Sequence, residues 1–138
     1  MENKIELKFY SKSENEKLAR SCISTMLLPI NPSVSELSDV KTAVSEAVTN
    51  AIVHGYPDGI GVVTLKAELI DKTIHINVSD EGVGIENTSV ALEPFYSTRK
   101  DKEHSGMGFT IIKSFTDEMR VNSEINKGTS VYMVKNFK

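Results

Sequence analysis

The chain has 138 residues, with 16 Lys and Arg against 19 Asp and Glu, a net charge of −3 and a single cysteine. A chain of that length suits one compact domain, residues 1–138, burying about two-thirds of its unfolded surface. The near balance of charge, without a long run of either sign, argues against direct binding of nucleic acid; Cys22 has no partner for an internal disulfide, and no apolar run approaches the roughly 20 residues that cross a bilayer.

No amino-terminal stretch has the charged-then-apolar pattern of a signal peptide. A soluble protein in a reducing cytoplasm, away from membranes, is therefore expected. Cys22 reads as a small buried hydrophobe.

In chain order, Ile5, Leu7 and Phe9 alternate with Glu6, Lys8 and Tyr10, the period of a half-buried strand ending near Ser11. Ser13-Glu14-Asn15-Glu16 is a capping-box sequence, and a helix should run from it to about Leu28. Its apolar face is read as Leu18, Cys22, Thr25 and Met26, with Arg20 pointing to solvent or a partner. Pro29 and Pro32 break the chain, Ser33 or Ser35 can cap the next helix, and that helix should run to about His54. Val40, Val44, Ala47, Val48 and Ala51 form its packing face. On the other side Glu46, Asn50 and His54 follow one another at helical spacing.

Gly55, Pro57, Asp58, Gly59 and Gly61 make a turn-rich connection. Residues 62–70 and 73–79 are β-rich and, joined by Asp71-Lys72, read as a hairpin. Its second strand leads into Asp80-Glu81-Gly82-Val83-Gly84-Ile85. From Glu86 to His104 periodicity is lost; a long irregular segment in a compact domain is usually functional, often a lid. After Ser105-Gly106-Met107-Gly108, the apolar Phe109, Ile111, Ile112 and Phe115 mark a helix. A second hairpin, residues 119–125 and 129–134, closes the pattern.

Three stretches carry chemistry. Glu46, Asn50 and His54 alone are no more than a polar helix edge. Asp80 at the end of a buried strand is costly unless a donor pairs with it, and the amino group of a purine is a suitable donor. Gly82 and Gly84 would let a base or sugar approach the backbone, although a tight acidic turn accounts for this stretch equally well. Ser105 to Gly108 opens a helix, whose unpaired amides and positive dipole end favour phosphate.

Their order is more specific than any of them. A helix with Glu-xxx-Asn, a strand ending in Asp-x-Gly-x-Gly, an irregular segment, Gly-x-Gly opening a helix and finally Gly128-Thr129 resembles the ATP-binding family shared by gyrase, the Hsp90 chaperones, histidine kinases and MutL. Within that family the chain is most similar to the small bacterial serine kinases that also act as anti-sigma factors, the sporulation type before the stress-response type. The resemblance implies a two-layer α/β sandwich, with a mixed, mostly antiparallel sheet and helices on one face. It also implies ATP or ADP with Mg²⁺ as cofactors. Glu46 would then be the catalytic base, and Asn50 the magnesium ligand. Asp80, Gly82, Gly84 and Thr129 would hold the adenine. Thr98, Arg99, Ser105, Gly106, Met107 and Gly108 would hold phosphates beneath a lid beginning near Pro94. His54 matches the family by position and receives no catalytic role.

Close relatives place an arginine immediately before the Ser-Gly, where this chain has His104. Arg99, Lys100 or Lys102 would then supply the charge at the γ-phosphate. By the same resemblance the partners are a sigma factor of the sigma F type, contacted through Arg20, an anti-anti-sigma factor phosphorylated on a serine, and a second copy of the chain in a homodimer. Two alternatives share these residues: a stress-response kinase acting on the sigma B pathway, and a nucleotide-gated sigma-binding protein without significant kinase activity.

Overall fold

The computed structural model describes residues 2–85 and 108–138. Among these residues five strands form one sheet in the order β1-β2-β3-β5-β4, with β1 Glu2–Tyr10, β2 Val62–Ile70, β3 Thr73–Asp80, β4 Glu118–Glu124 and β5 Gly128–Asn136. The sheet was expected to be mostly antiparallel, and it is antiparallel at every described pairing; no parallel component is found among them. The Asp71-Lys72 hairpin forms as expected, with Asp71 at φ 52. Asn126, at φ 65, turns the second hairpin.

The alternation read from sequence sets one face of the sheet against the helices. Successive rows across it are Ile5–Ala67–Ile76–Met133–Met119, Leu7–Leu65–Val78–Val131–Val121 and Phe9–Val63–Asp80–Thr129–Ser123. The first two rows are wholly apolar. The third carries Asp80 into the core, at 8 % exposure. The opposite face, with Lys4, Glu6, Lys66, Glu68, His75 and Tyr132, is polar, and His75 Nδ1 and the Tyr132 hydroxyl are hydrogen-bonded at 2.7 Å.

Among the described residues three helices cover the inner face: α1 Glu14–Leu27, α2 Val34–Asn50 and α3 Gly108–Phe115. On α2 the packing face is the expected one, with Val40, Ala43, Val44, Ala47 and Val48 buried. Ser33 caps it in a complete capping box: its hydroxyl accepts from the Glu36 amide at 3.0 Å, and the Glu36 carboxylate accepts from the Ser33 amide at 3.0 Å.

Two expectations for α1 are corrected. Its buried residues are Ala19, Ile23, Met26 and Leu27, while Leu18 and Thr25 are exposed and Cys22 is only half-buried. The stripe that packs has the same spacing as the expected one, shifted by one residue, and it wins because Ile23 and Leu27 offer more apolar surface than Cys22 and Thr25. Nor does Ser13 form a capping box. It sits at φ −57, ψ −33, already helical, whereas an N-cap needs extended geometry to aim its side chain at the following amides. Glu16 turns instead to the Ser45 hydroxyl of α2 and to Arg20.

Helix α2 does not continue as an α-helix to His54. After Asn50 the backbone widens into a π-turn over Ala51–Gly55. Its i→i+5 bonding changes the angular step, so the α-helical spacing that relates Glu46 to Asn50 does not extend to His54.

Candidate nucleotide site

The π-turn ends where the site begins. Gly55 lies flat against the Asp80 carboxylate: a methyl carbon at Gly55 would stand 2.7–2.9 Å from its atoms. The Gly55 carbonyl accepts a hydrogen bond from the Val83 amide at 3.0 Å, and a side chain at Gly82 would overlap that same carbonyl. Gly84, at φ 75, runs against the Glu124 backbone of the second hairpin. Gly82 and Gly84 are thus required by close protein packing, where the sequence offered room for a ligand and a tight acidic turn as equal readings. Gly55, read there as part of a connection, is a missed member of the site. Its signal was its position directly behind the Glu46–His54 stripe.

Asp80 continues the inward alternation of Ile74, Ile76 and Val78, so strand geometry alone carries the carboxylate into the core. Its Oδ1 accepts from the Gly82 amide at 2.9 Å. Burial raises its pKa above the ordinary carboxylate value, opposed by hydrogen bonds from the Gly82 and Thr129 backbones. A carboxylate has about four acceptor positions, so this one keeps capacity for a further donor. An exocyclic amino group fits that requirement.

Two more residues tie the surroundings together without having been singled out in the sequence. The Ser123 hydroxyl accepts from the Ile85 amide at 2.7 Å and shares a hydrogen bond with Thr129 Oγ1 at 2.8 Å. It therefore joins the Asp-x-Gly-x-Gly loop to the expected Thr129. The Tyr56 hydroxyl donates to the Val62 carbonyl and accepts from the Glu81 amide, both at 2.7 Å. The loop after the π-turn is thereby pinned beside Asp80.

At the other end, the Asn50 amide group meets the first residue of α3. A methyl carbon at Gly108 would stand 2.5 Å from Asn50 Nδ2 and 2.8 Å from Oδ1, so Asn50 reaches the helix end only because residue 108 is glycine. A side-chain oxygen thus stands beside Gly108, where the described part of α3 starts, and an amide oxygen suits a hard cation. Among the described residues no three His, Cys, Asp or Glu side chains gather as a metal cage. Mg²⁺ typically takes one or two protein ligands and completes its shell with phosphates and water, which one asparagine can serve. Glu46, half-buried, lies one helical turn before Asn50 and lines a groove with Arg20, Lys41 and Ser45.

The expected Thr98, Arg99, Ser105, Gly106 and Met107, the lid from Pro94, and Lys100, Lys102 and His104 lie outside the described residues.

Residues 9–135 match the family model described as a histidine kinase-like ATPase domain. The chain is 53 % identical over 137 residues to an anti-sigma F factor of Clostridium acetobutylicum, covering 99 % of this chain and 96 % of that one. It is 47 % identical over 133 residues to an anti-sigma F factor of Caldanaerobacter subterraneus, covering 96 % and 93 %. Among solved structures, the RsbU and RsbW domains of a Mycobacterium tuberculosis protein align with a TM-score of 0.70 at 18 % identity, covering 98 % of this chain and 32 % of that one; this likeness is one of fold. Buried carboxylate, amide at a helix end and whole-length similarity agree: the chain belongs to the histidine kinase-like ATPase domains and, within them, to the anti-sigma F factor family.

Proposed function

We propose that the protein is a cytoplasmic anti-sigma factor of the sporulation type and an ATP-dependent protein-serine kinase. In this reading it works as a single domain in a homodimer, sequesters a sigma factor of the sigma F type, and phosphorylates that factor's anti-anti-sigma antagonist on a serine. Bound ATP with Mg²⁺ would supply the γ-phosphoryl group. Asp80 accepts from the adenine amino group, beside Thr129. Asn50 holds the cation at the phosphate end, where the amides of α3 face the same anions. Glu46 accepts the proton of the attacking serine hydroxyl, in a reaction that depends on positioning and charge neutralisation more than on covalent chemistry.

The observation that carries this reading is the line from Glu46 to Asn50 to Gly108. Glu46 precedes Asn50 by one turn of α2, and Asn50 meets Gly108; that order supports a base, a cation ligand and a phosphate end placed for transfer from a nucleotide to a hydroxyl. The test is a transfer assay with labelled ATP, Mg²⁺ and an anti-anti-sigma protein. Label is expected on one serine, and Glu46→Ala should lower the rate by about 10² to 10⁴, the usual contribution of a general base. Tight ATP binding with no label on any antagonist would leave sigma binding as the protein's role.

A further inference from the structure

Asp80, Thr129 and Ser123 stand side by side across β3, β5 and β4, at the end of the sheet where the Asp-x-Gly-x-Gly loop leaves it. Ser123 takes the inward place that Met119 and Val121 hold earlier on β4, where both pack against the core. A small hydroxyl at that place fills less apolar space than they do. Its polar contacts are correspondingly complete.

The Ser123 hydroxyl has three partners. It lies 2.7 Å from the Ile85 amide nitrogen, 3.1 Å from the Gly128 carbonyl oxygen and 2.8 Å from Thr129 Oγ1. A serine hydroxyl has one proton to give and two lone pairs with which to accept. An amide only donates, so Ile85 occupies one lone pair; a carbonyl only accepts, so Gly128 receives the proton. The second lone pair is left for Thr129, whose hydroxyl must then donate its own proton to Ser123. Towards any other neighbour Thr129 Oγ1 has lone pairs alone. The Thr129 backbone amide is already turned to the Asp80 carboxylate.

We propose that Ser123 is a positioning residue for base specificity: by taking the Thr129 proton it makes the side chains of Asp80 and Thr129 a pair of acceptors, which complements an exocyclic amino group and rejects a carbonyl oxygen at the same place. Adenine carries such an amino donor, whereas guanine carries an acceptor oxygen at the equivalent ring position, and so does hypoxanthine. The Asp80 carboxylate repels that oxygen whatever its neighbours do. A threonine hydroxyl free to turn could donate to the oxygen and offset the repulsion. The direction of one proton therefore decides how far the site tells these bases apart. This assignment rests on the reading of Asp80 and Thr129 as the adenine end, and adds to it a residue that acts without touching the base.

The test measures by calorimetry the Kd of ADP and of IDP, each with Mg²⁺, for wild type, Ser123→Ala and Ser123→Thr. Wild type is expected to favour ADP by about a hundredfold. Ser123→Ala releases the Thr129 proton and should narrow that ratio about tenfold, chiefly through tighter binding of IDP. Ser123→Thr keeps the hydroxyl and should keep the ratio. In a Thr129→Val background the change Ser123→Ala should leave the ratio where Thr129→Val sets it, because no side-chain proton remains to direct. Where Ser123→Ala gives no cooperative unfolding transition, Ser123→Cys, a weaker donor and acceptor of similar shape, reads the same ratio. Equal loss of ADP and IDP affinity, with the ratio unchanged, would mean that Ser123 only braces the loop; it would overturn the assignment and leave the adenine reading standing. A wild type that binds the two nucleotides equally would overturn both.

Discussion

Asp80 carries a structural cost beside its proposed binding role, and the two can be separated. Burial holds its folded pKa above the unfolded value, so the stability linked to this group is present at pH below the unfolded value and is lost as pH rises through the raised one. A ligand amino group needs the ionised carboxylate, so nucleotide affinity follows the opposite course and falls as pH drops through that raised value. Asp80→Asn removes the charge and keeps an acceptor for the Gly82 amide. We expect the free variant to be at least as stable as wild type at neutral pH by thermal unfolding, while its nucleotide affinity, measured by calorimetry, falls roughly tenfold to a hundredfold. Its affinity should also lose the acid-side decline. Asp80 was legible because a carboxylate in phase with Ile74, Ile76 and Val78 is a local pattern. Gly55 and Ser123 were not, because their importance lies in contacts with Asp80 and Thr129 made across 25 and 6 positions of sequence.

Whole elements were read well where one side-chain pattern dominated. Alternation placed β1, β2, β3 and both hairpins, and the cap of α2 was among the two serines named for it. With its hydroxyl holding the Glu36 amide, Ser33→Ala should cost about 1 kcal/mol of unfolding free energy in urea titration, and Ser33→Gly should cost less. Ser35→Ala, in contrast, should be near neutral. Helix α1 was misread because two stripes of equal period lie one residue, roughly 100°, apart. Only tertiary contact decides between them, by burying Ile23 and Leu27. Ser13 and Glu16 satisfy the capping-box pattern in sequence, yet the better partners for Glu16 are Ser45, 29 positions away, and Arg20. The π-turn was invisible for a similar reason: Ala51 to Gly55 carry no local mark of i→i+5 bonding, and docking of Gly55 onto Asp80 and Val83 fixes it.

Across the molecule, the proposed partner groove and the proposed nucleotide end share helix α2 and meet at Glu46. Arg20 reaches the groove from α1, while Asn50 and the π-turn lie toward the proposed nucleotide end. Arg20→Ala is therefore expected to weaken sigma-factor binding about tenfold in a titration with ATP present, and to leave ATP affinity near the wild-type value. Equal loss of both would mean that the Glu16 contact between α1 and α2 had been disturbed instead. The rows of the sheet carry one more consequence. Two are sealed by apolar side chains, and the third is interrupted by a carboxylate and finished with the hydroxyls of Thr129 and Ser123. If the proposed purine rests on that row, it would serve as a core side chain delivered from solution, and the fold would tighten or slacken with the supply of its nucleotide.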